Sequence, residues 1–549
     1  MGPVPRLPHG VRKTLVPDWM NPTLSIVLLF GAAMNPVFAA AAPRSEWMGA
    51  YLNRTKVGYS LLVHEEIGAF PRAYLEPFNS IEERKDDAST GLYSEADLQI
   101  MAFGAKNHVS WRSVTLLEED FSLSAFGFLL ASSGAESRIE GFREGNSIVL
   151  KVGGSGNESV RKLLVPEGPV YVAEAIPLAL AKEMREGTLP DGEYRVLEPH
   201  QLTLSTWQIS YEGRETLETP QGPIECFRIK QDAGGFFPVV WIDEEGTVWK
   251  EFAPLGEAIG YYSYRETEAQ ARDTEYLNPL VLAEAEEEPD GQEPDLLYST
   301  AIDAGTKIAR PSLVRRMVVD LWNFEPAPDF PFSERQKHLG LESRTFYTNA
   351  VPLRLEIATV PEPIPSAPFP AGLALDREYA EFLEEETFIE TKNPKIVELA
   401  LRLTGEADSP WNKALAIYRW IRKNVETEFR ITLPSALETL ESKKGDCNEQ
   451  SALFAALARA AGVPAKICTG LVYQGGAFYY HAWNEVLVQV DPEVWAPIDP
   501  AMRQELADAT HIKFSEGGLA NQTYINALIG KLKAQIREID LHDPDRKLN

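Results

Sequence analysis

Three residue types with complementary chemistry follow one another in the C-terminal part of the chain. Cys447 sits in Gly445-Asp446-Cys447-Asn448-Glu449-Gln450-Ser451, just before the apolar run Ala452-Leu453-Phe454-Ala455-Ala456-Leu457. His481 follows in Tyr480-His481-Ala482-Trp483, and Asp499 in Trp495-Ala496-Pro497-Ile498-Asp499-Pro500. A thiolate attacks carbonyls, an imidazole carries protons, and a carboxylate holds the ring in place. Together these are the parts of a cysteine-dependent acyl-transfer site. The competing reading of Cys447 is plain packing, because free cysteines are often buried and inert.

The elements around these residues decide whether they can meet. Leu453, Phe454, Leu457 and Ala461 have the spacing of one helical face, and Gly462 and Pro464 end that helix. Cys447 therefore falls at a helix N-terminus, where unpaired N–H groups favour thiolate over thiol. Gly445 allows a tight entry and a close neighbour. Phe478 to Val488 and Val494 to Asp499 read as two strands joined around Asp491-Pro492. A turn centred near residue 490 sets His481 directly opposite Asp499. Opposed residues share a face with Cβ atoms about 5 Å apart, and a slip of one residue would separate them.

Gly445-Asp446-Cys447, Ala458-Arg459-Ala460-Ala461-Gly462-Val463-Pro464-Ala465, His481-Ala482-Trp483-Asn484-Glu485-Val486 and Trp495-Ala496-Pro497-Ile498-Asp499-Pro500 closely resemble the bacterial transglutaminase-like superfamily. The gaps of 34 and 18 residues between the three candidates are in keeping with it. The resemblance covers residues 373–515. It implies a papain-like α+β core in which Cys447 is the nucleophile, His481 the base and acid, and Asp499 the orienter. It also implies action on amide bonds of a peptide or protein through a thioester. Hydrolysis is the first expectation; glutamine–lysine cross-linking and a non-catalytic envelope scaffold are the alternatives. Ala509-Thr510-His511-Ile512 resembles a piece that often follows such cores, and His511 reads there as structural.

Upstream, Ser409-Pro410 is an N-cap followed by proline, and Trp411, Leu415, Tyr418, Ile421 and Val425 form one buried stripe. Glu398 to Thr404 belongs to an earlier helix closed by Gly405. Residues 43–270 are β-rich. Tyr93 to Phe103, His108 to Leu117, Phe121 to Ala131 and Thr203 to Tyr211 read as strands, and Val239 to Ile242 with Thr247 to Lys250 as a hairpin. A helix at Ala173 to Arg185 interrupts them, so a long antiparallel sheet curled around that helix is expected. Trp47 to Tyr59 resembles the opening hairpin of exported bacterial β domains. Residues 271–297, with Glu284-Ala285-Glu286-Glu287-Glu288-Pro289, read as a solvated acidic linker. Residues 298–372 form a small β-rich segment with a proline-rich end, and residues 516–549 a C-terminal extension. The expected fold class is thus multidomain α+β, with a curled β domain, a small β segment and the C-terminal core.

Arg6, Arg12 and Lys13 precede the apolar stretch Leu24 to Phe30, and Ala39 to Ala42 offer a small-residue cleavage site. Residues 1–42 read as a signal peptide, which places the protein in the periplasm or outside the cell; an uncleaved anchor is the competing reading. The chain carries 53 Lys+Arg against 81 Asp+Glu, a net charge of −28, which argues against nucleic acid as a partner. A peptide or protein substrate is expected, with envelope proteins as partners for the β domain. Cys226, Cys447 and Cys468 are too few for a disulfide framework. The histidines lack metal-ligand spacing and no calcium loop is evident, so neither metal nor cofactor is expected.

Overall fold

The computed structural model describes residues 44–542 except 155–156, 221, 234–235, 256–258, 286–292, 325, 327–328, 340–350, 366, 371–374, 432, 518–527 and 529. The signal-like segment 1–42 lies outside the described residues. None of the described helices is long and apolar enough to cross a membrane.

Residues between Arg44 and Glu266 build a 15-stranded sheet. Its first strand, Arg44–Leu52, pairs antiparallel with Thr55–Glu66 on one side and Gly260–Glu266 on the other. From this central pair the sheet runs in chain order to Asn157–Leu164 at one end and in reverse order to Tyr171–Val172 at the other. Tight turns between sequential strands make the pairing antiparallel. The exception is Tyr171–Val172, which pairs parallel with Gly192–Glu198 because a helix intervenes. That helix spans Ile176–Arg185 after a short 3₁₀ turn at Ala173–Ala175. Its buried Ile176, Leu178 and Leu180 join one core with Val109 and Phe126 from one half of the sheet and Val196, Ile229 and Val240 from the other.

The linker expectation fails for its described part. Asn278 caps a helix at Pro279–Glu284, and Val281 and Ala285 are buried against Tyr51 and Tyr264 of the long sheet. Asn278 Nδ2 donates to Glu266, and Lys250 pairs with Glu284. Acidic composition suggested solvation, but the helix carries one acid, Glu284, paired with Lys250, and its apolar residues had an aromatic patch to cover. The remaining acidic stretch, 286–292, is outside the described residues.

The small β segment and the C-terminal extension are one unit. Gln336–His338, Leu353–Ala358, Val314–Trp322 and Lys533–Leu541 form a four-stranded antiparallel sheet in that order. Asp320, fully buried, holds it through Arg354 and Arg537.

The C-terminal core has a helical layer on a five-stranded sheet. Helices α1 (Pro394–Thr404), α2 (Pro410–Asn424) and α3 (Cys447–Ala460) are capped by Asn393, Ser409 and Asp446. The sheet contains β1 (Ala465–Gln474), β2 (Ala477–Val490), β3 (Glu493–Ile498) and β4 (His511–Gly517), with Ile302–Asp303 added to the start of β2. One side of this sheet, with Ile467, Val486 and Ile498, packs on the helices. Leu471, Tyr473, Tyr480 and Phe514 pack instead into the core shared with the long sheet. Helix α3 was expected to bury one face. It is buried from Cys447 to Arg459 on every side, as the central helix of the layer.

Candidate active site

The start of α3 is built by a reciprocal cap. Asp446 accepts from Asn448 N, and Glu449 Oε2 accepts from Asp446 N at 2.9 Å. A Cβ on Gly445 would fall 2.4 Å from Glu449 Cβ, so only glycine lets this box close. Lys444–Gly445 pairs parallel with Glu426–Thr427, and Gln450 Nε2 ties Gly445 O to Thr427 Oγ1. Cys447 is thereby fixed as the first residue of the helix. Burial, and then the Asp446 carboxylate beside it, push Glu449 well above the usual carboxylate range. A proton on Glu449 limits the negative charge next to the thiol.

His481 lies within β2 rather than at its end. One edge of β2 pairs with β1 throughout, Gly470 standing opposite His481. The other edge pairs with Ile302–Asp303 at Ala477–Phe478 and with β3 from Asn484 onward, leaving His481 in the gap. A Cβ on Gly470 would sit 1.9 Å from Ile512 O, so glycine is what lets β1 and β4 approach here.

The expected register is corrected. The turn is Asp491-Pro492, so Gln489 faces Val494. Carried on without interruption, that pairing would put Asp499 opposite Asn484, on the other side of the sheet from His481. A bulge between Leu487 and Gln489 takes up one residue, and Asn484 then faces Ile498. Extended by one residue, the pairing places Asp499 beside Trp483, two residues from His481 and on its side. The two are diagonal, not opposed. His481 Nε2 and Asp499 Oδ2 are 2.6 Å apart and buried. Asp499 Oδ1 accepts from Met502 N at 2.8 Å, and the main chain of Asp499 exchanges two hydrogen bonds with Gln504. Because a carboxylate can only accept, His481 carries its proton on Nε2, leaving Nδ1 as the basic nitrogen.

Cys447 packs against Ala482 and Ala501, the residue after His481 and the turn after Asp499. Cys447, His481 and Asp499 are 1%, 6% and 0% exposed, so substrate must displace a neighbour to reach the thiol. Phe103, at a hairpin tip of the long sheet, packs on Tyr479 and Met502 beside them. The same sheet binds the segment before α3: Ser133 Oγ donates to Phe429 O, Ile431 N to Ser132 Oγ and Leu433 N to Ser137 Oγ, at 3.1, 3.2 and 3.1 Å.

Sequence reasoning missed the place of His511. Its Nε2 lies 3.2 Å from the same Asp499 Oδ2, and its Nδ1 3.2 Å from Asp508 O and 3.4 Å from Asp508 Oδ1. Burial alone would lower its pKa, but the bonds to Asp499 and Asp508 raise it to about 9. Burial likewise works against the Asp499 carboxylate, yet His481 and His511 hold it below the usual range. The acid three residues before His511 was the available signal. His481, Asp499 and His511 converge to within 4.8 Å, the spacing of a metal site. Both nitrogens of His511 face oxygen acceptors, and a neutral ring could donate to only one of them. None of Cys226, Cys447 and Cys468 is in a disulfide; burial pushes Cys226 up to about 12 and Cys468 well above its ordinary value, as expected of inert thiols.

No curated protein matches the chain. Among solved structures, a protein from Cytophaga hutchinsonii provisionally described as a cysteine protease is 19% identical with a TM-score of 0.27, over 43% of this chain and 90% of that one. A β-barrel-like protein of a family of unknown function from Brucella abortus is 8% identical with a TM-score of 0.31, over 41% of this chain and 96% of its own. A provisionally described protease from Parabacteroides distasonis is 11% identical with a TM-score of 0.19, over 69% of each chain. All three TM-scores are low, so the assignment rests on the family model. That model matches residues 397–500, from α1 through Asp499, and this part of the chain is a domain of the transglutaminase-like superfamily.

Proposed function

We propose that the chain is an exported cysteine enzyme that hydrolyses amide bonds of a peptide or protein. Cys447 is the nucleophile, His481 the general base and acid, and Asp499 the residue that orients His481. The observations that support this reading are the buried His481–Asp499 bond and the helix-start thiol packed against Ala482, next in sequence to His481, and Ala501, two residues after Asp499. His481 Nδ1 takes the thiol proton as sulfur attacks the carbonyl carbon. The tetrahedral oxyanion receives the Cys447 N–H at the helix start, where first-turn N–H groups have no helical acceptor. The imidazolium returns the proton to the leaving amine, the C–N bond breaks and a thioester remains. Water, deprotonated by the same nitrogen, releases the acid and restores the thiol. The N-terminal charge and apolar pattern supports export, and the long sheet, bonded to the segment before α3, is the surface for envelope proteins.

The test is incubation of wild-type protein and a Cys447→Ala variant with an envelope extract, with mass spectrometry of the altered amide bonds. New termini that vanish in the variant are expected. Incorporation of a fluorescent amine into glutamine side chains, without new termini, would replace hydrolysis by cross-linking. Alkylation of Cys447 as slow as that of Cys226 at about pH 6 would favour the scaffold reading.

A further inference from the structure

The family match ends at residue 500, and His511 lies beyond it on β4. The ring is wholly buried, yet both of its nitrogens are committed to oxygen atoms that can only accept: Asp499 Oδ2 on one side, the Asp508 carbonyl and carboxylate on the other. A neutral imidazole has one N–H and cannot satisfy both directions. Asp508 is itself held in place, its Oδ1 accepting from Thr510 N and Oγ1 at 2.8 and 2.6 Å and its N–H donating to Gln504 Oε1. Trp483 closes the space edge-on at 5.2 Å, and the ring centroid of His481 is 6.1 Å away.

We propose that His511 is a positioning residue of this site: a ring that stays cationic, shares the Asp499 carboxylate with His481, and so sets the pH range over which the Cys447–His481 pair works. The proposal rests on the reading of Cys447 and His481 given above. Asp499 can orient His481 by its hydrogen bond, but its charge is already balanced by His511. A second cation close by also makes an imidazolium at His481 less favourable and a thiolate at Cys447 more favourable.

The other groups facing these residues stay constant when His511 is changed. They are Asp508 on its own turn, Tyr418 and Arg422 of α2 within electrostatic reach of Asp499, and Arg503 within reach of Arg422. His511→Gln keeps a donor to Asp499 and removes only the charge. Both limbs of the pH profile for Cys447 alkylation by iodoacetamide, the acid limb from the thiol and the alkaline limb from the imidazolium, should then move upward. At 6.1 Å a unit charge is worth about one to two pH units at the alkaline limb and less at the acid one. A purely structural His511 would lower the amplitude or the melting temperature and leave both limbs where they are, and that result overturns the proposal.

Selective ¹⁵N labelling of histidine in the wild-type full chain gives a second readout that needs neither a variant nor catalysis. His511 should show two protonated nitrogens through about pH 8. A neutral His511 ring near pH 7 overturns the proposal even if Cys447 is reactive. A charged His511 together with a Cys447 profile like that of an isolated thiol would instead count against the catalytic reading on which the pH effect depends, and the alkylation limb of the proposal would fall with it.

Discussion

Glu174, Glu198 and Glu251 in the long sheet, and Asp499 and Glu485 in the C-terminal core, are all carboxylates removed from water. Burial pushes Glu174 and Glu198 up to about 7 and Glu251 up to about 8. The groups bonded to the first two are neutral donors, Ser94 and Trp207. In the core, burial acts in the same direction, but Lys513 and Arg335 hold Glu485 below its ordinary value, as His481 and His511 do for Asp499. Burial alone therefore favours the protonated form at the first three, while a nearby cation favours the ionised form at Asp499 and Glu485. The difference lies in whether a cation was placed within reach before water was excluded.

These two sets of carboxylates should respond to pH with opposite signs. In the long sheet the folded-state pKa values exceed the unfolded ones. The unfolded chain then loses protons first, and stability falls as pH rises from the ordinary carboxylate range to about 7 or 8. At Asp499 and Glu485 the values are depressed, and their contribution to stability is lost as pH falls below the ordinary range. His511, raised to about 9, adds stability that is fully present below the ordinary histidine value and is lost as pH climbs through 9.

The comparison breaks most severely at Asp499. Asp499→Ala leaves His481 without an acceptor and His511 with half its compensation. It should cost about 3–5 kcal/mol of stability, and the loss of the orienting carboxylate about 10³–10⁴ in turnover. Urea unfolding and hydrolysis rates on the full chain check both; turnover within tenfold of wild type would remove Asp499 from the mechanism. Glu251→Gln tests the other region. At about pH 9 it should stabilise the protein by on the order of 2–4 kcal/mol, and at about pH 4, where Glu251 is protonated in either state, by nearly nothing. Equal effects at both pH values would mean that Glu251 has a cationic partner after all. The seam between the regions should give the smallest change. Ser137→Ala removes the bond to Leu433 N and should cost about 1 kcal/mol. If opening of this seam exposes the thiol, Cys447 alkylation should speed up about fivefold. An unchanged rate would show that access to Cys447 does not pass through the seam.

Much of the local structure was legible. Ser409-Pro410 gave the start of α2, and the stripe from Trp411 to Val425 gave its course, running one residue past its end at Asn424, because caps and periodicity are local physics. The strand at Val239–Ile242 and the part of Thr203–Thr219 up to Tyr211 showed themselves by alternation, while the continuation past a bulge at Tyr211/Gly213 did not. The last strand of the four-stranded sheet, Lys533–Leu541, did not, because its partner Val314–Trp322 lies more than 200 residues away in sequence. The acidic segment near residue 280 was misread because composition records charge and not the aromatic patch that one side of a short helix can cover.

For the candidate site, the sequence by itself determined three chemistries and the start of α3, since the glycine, the N-cap acid and the apolar spacing around Cys447 act within one turn of helix. It could not determine that Asp499 shares a side with His481. That depends on one unpaired residue in β2, and a strand alternates sides with every residue, so the presence or absence of the bulge decides the outcome. Nor could it determine the charge of His511. Two acceptors from separate turns had to be folded against both nitrogens of one buried ring before that ring was obliged to keep its second proton.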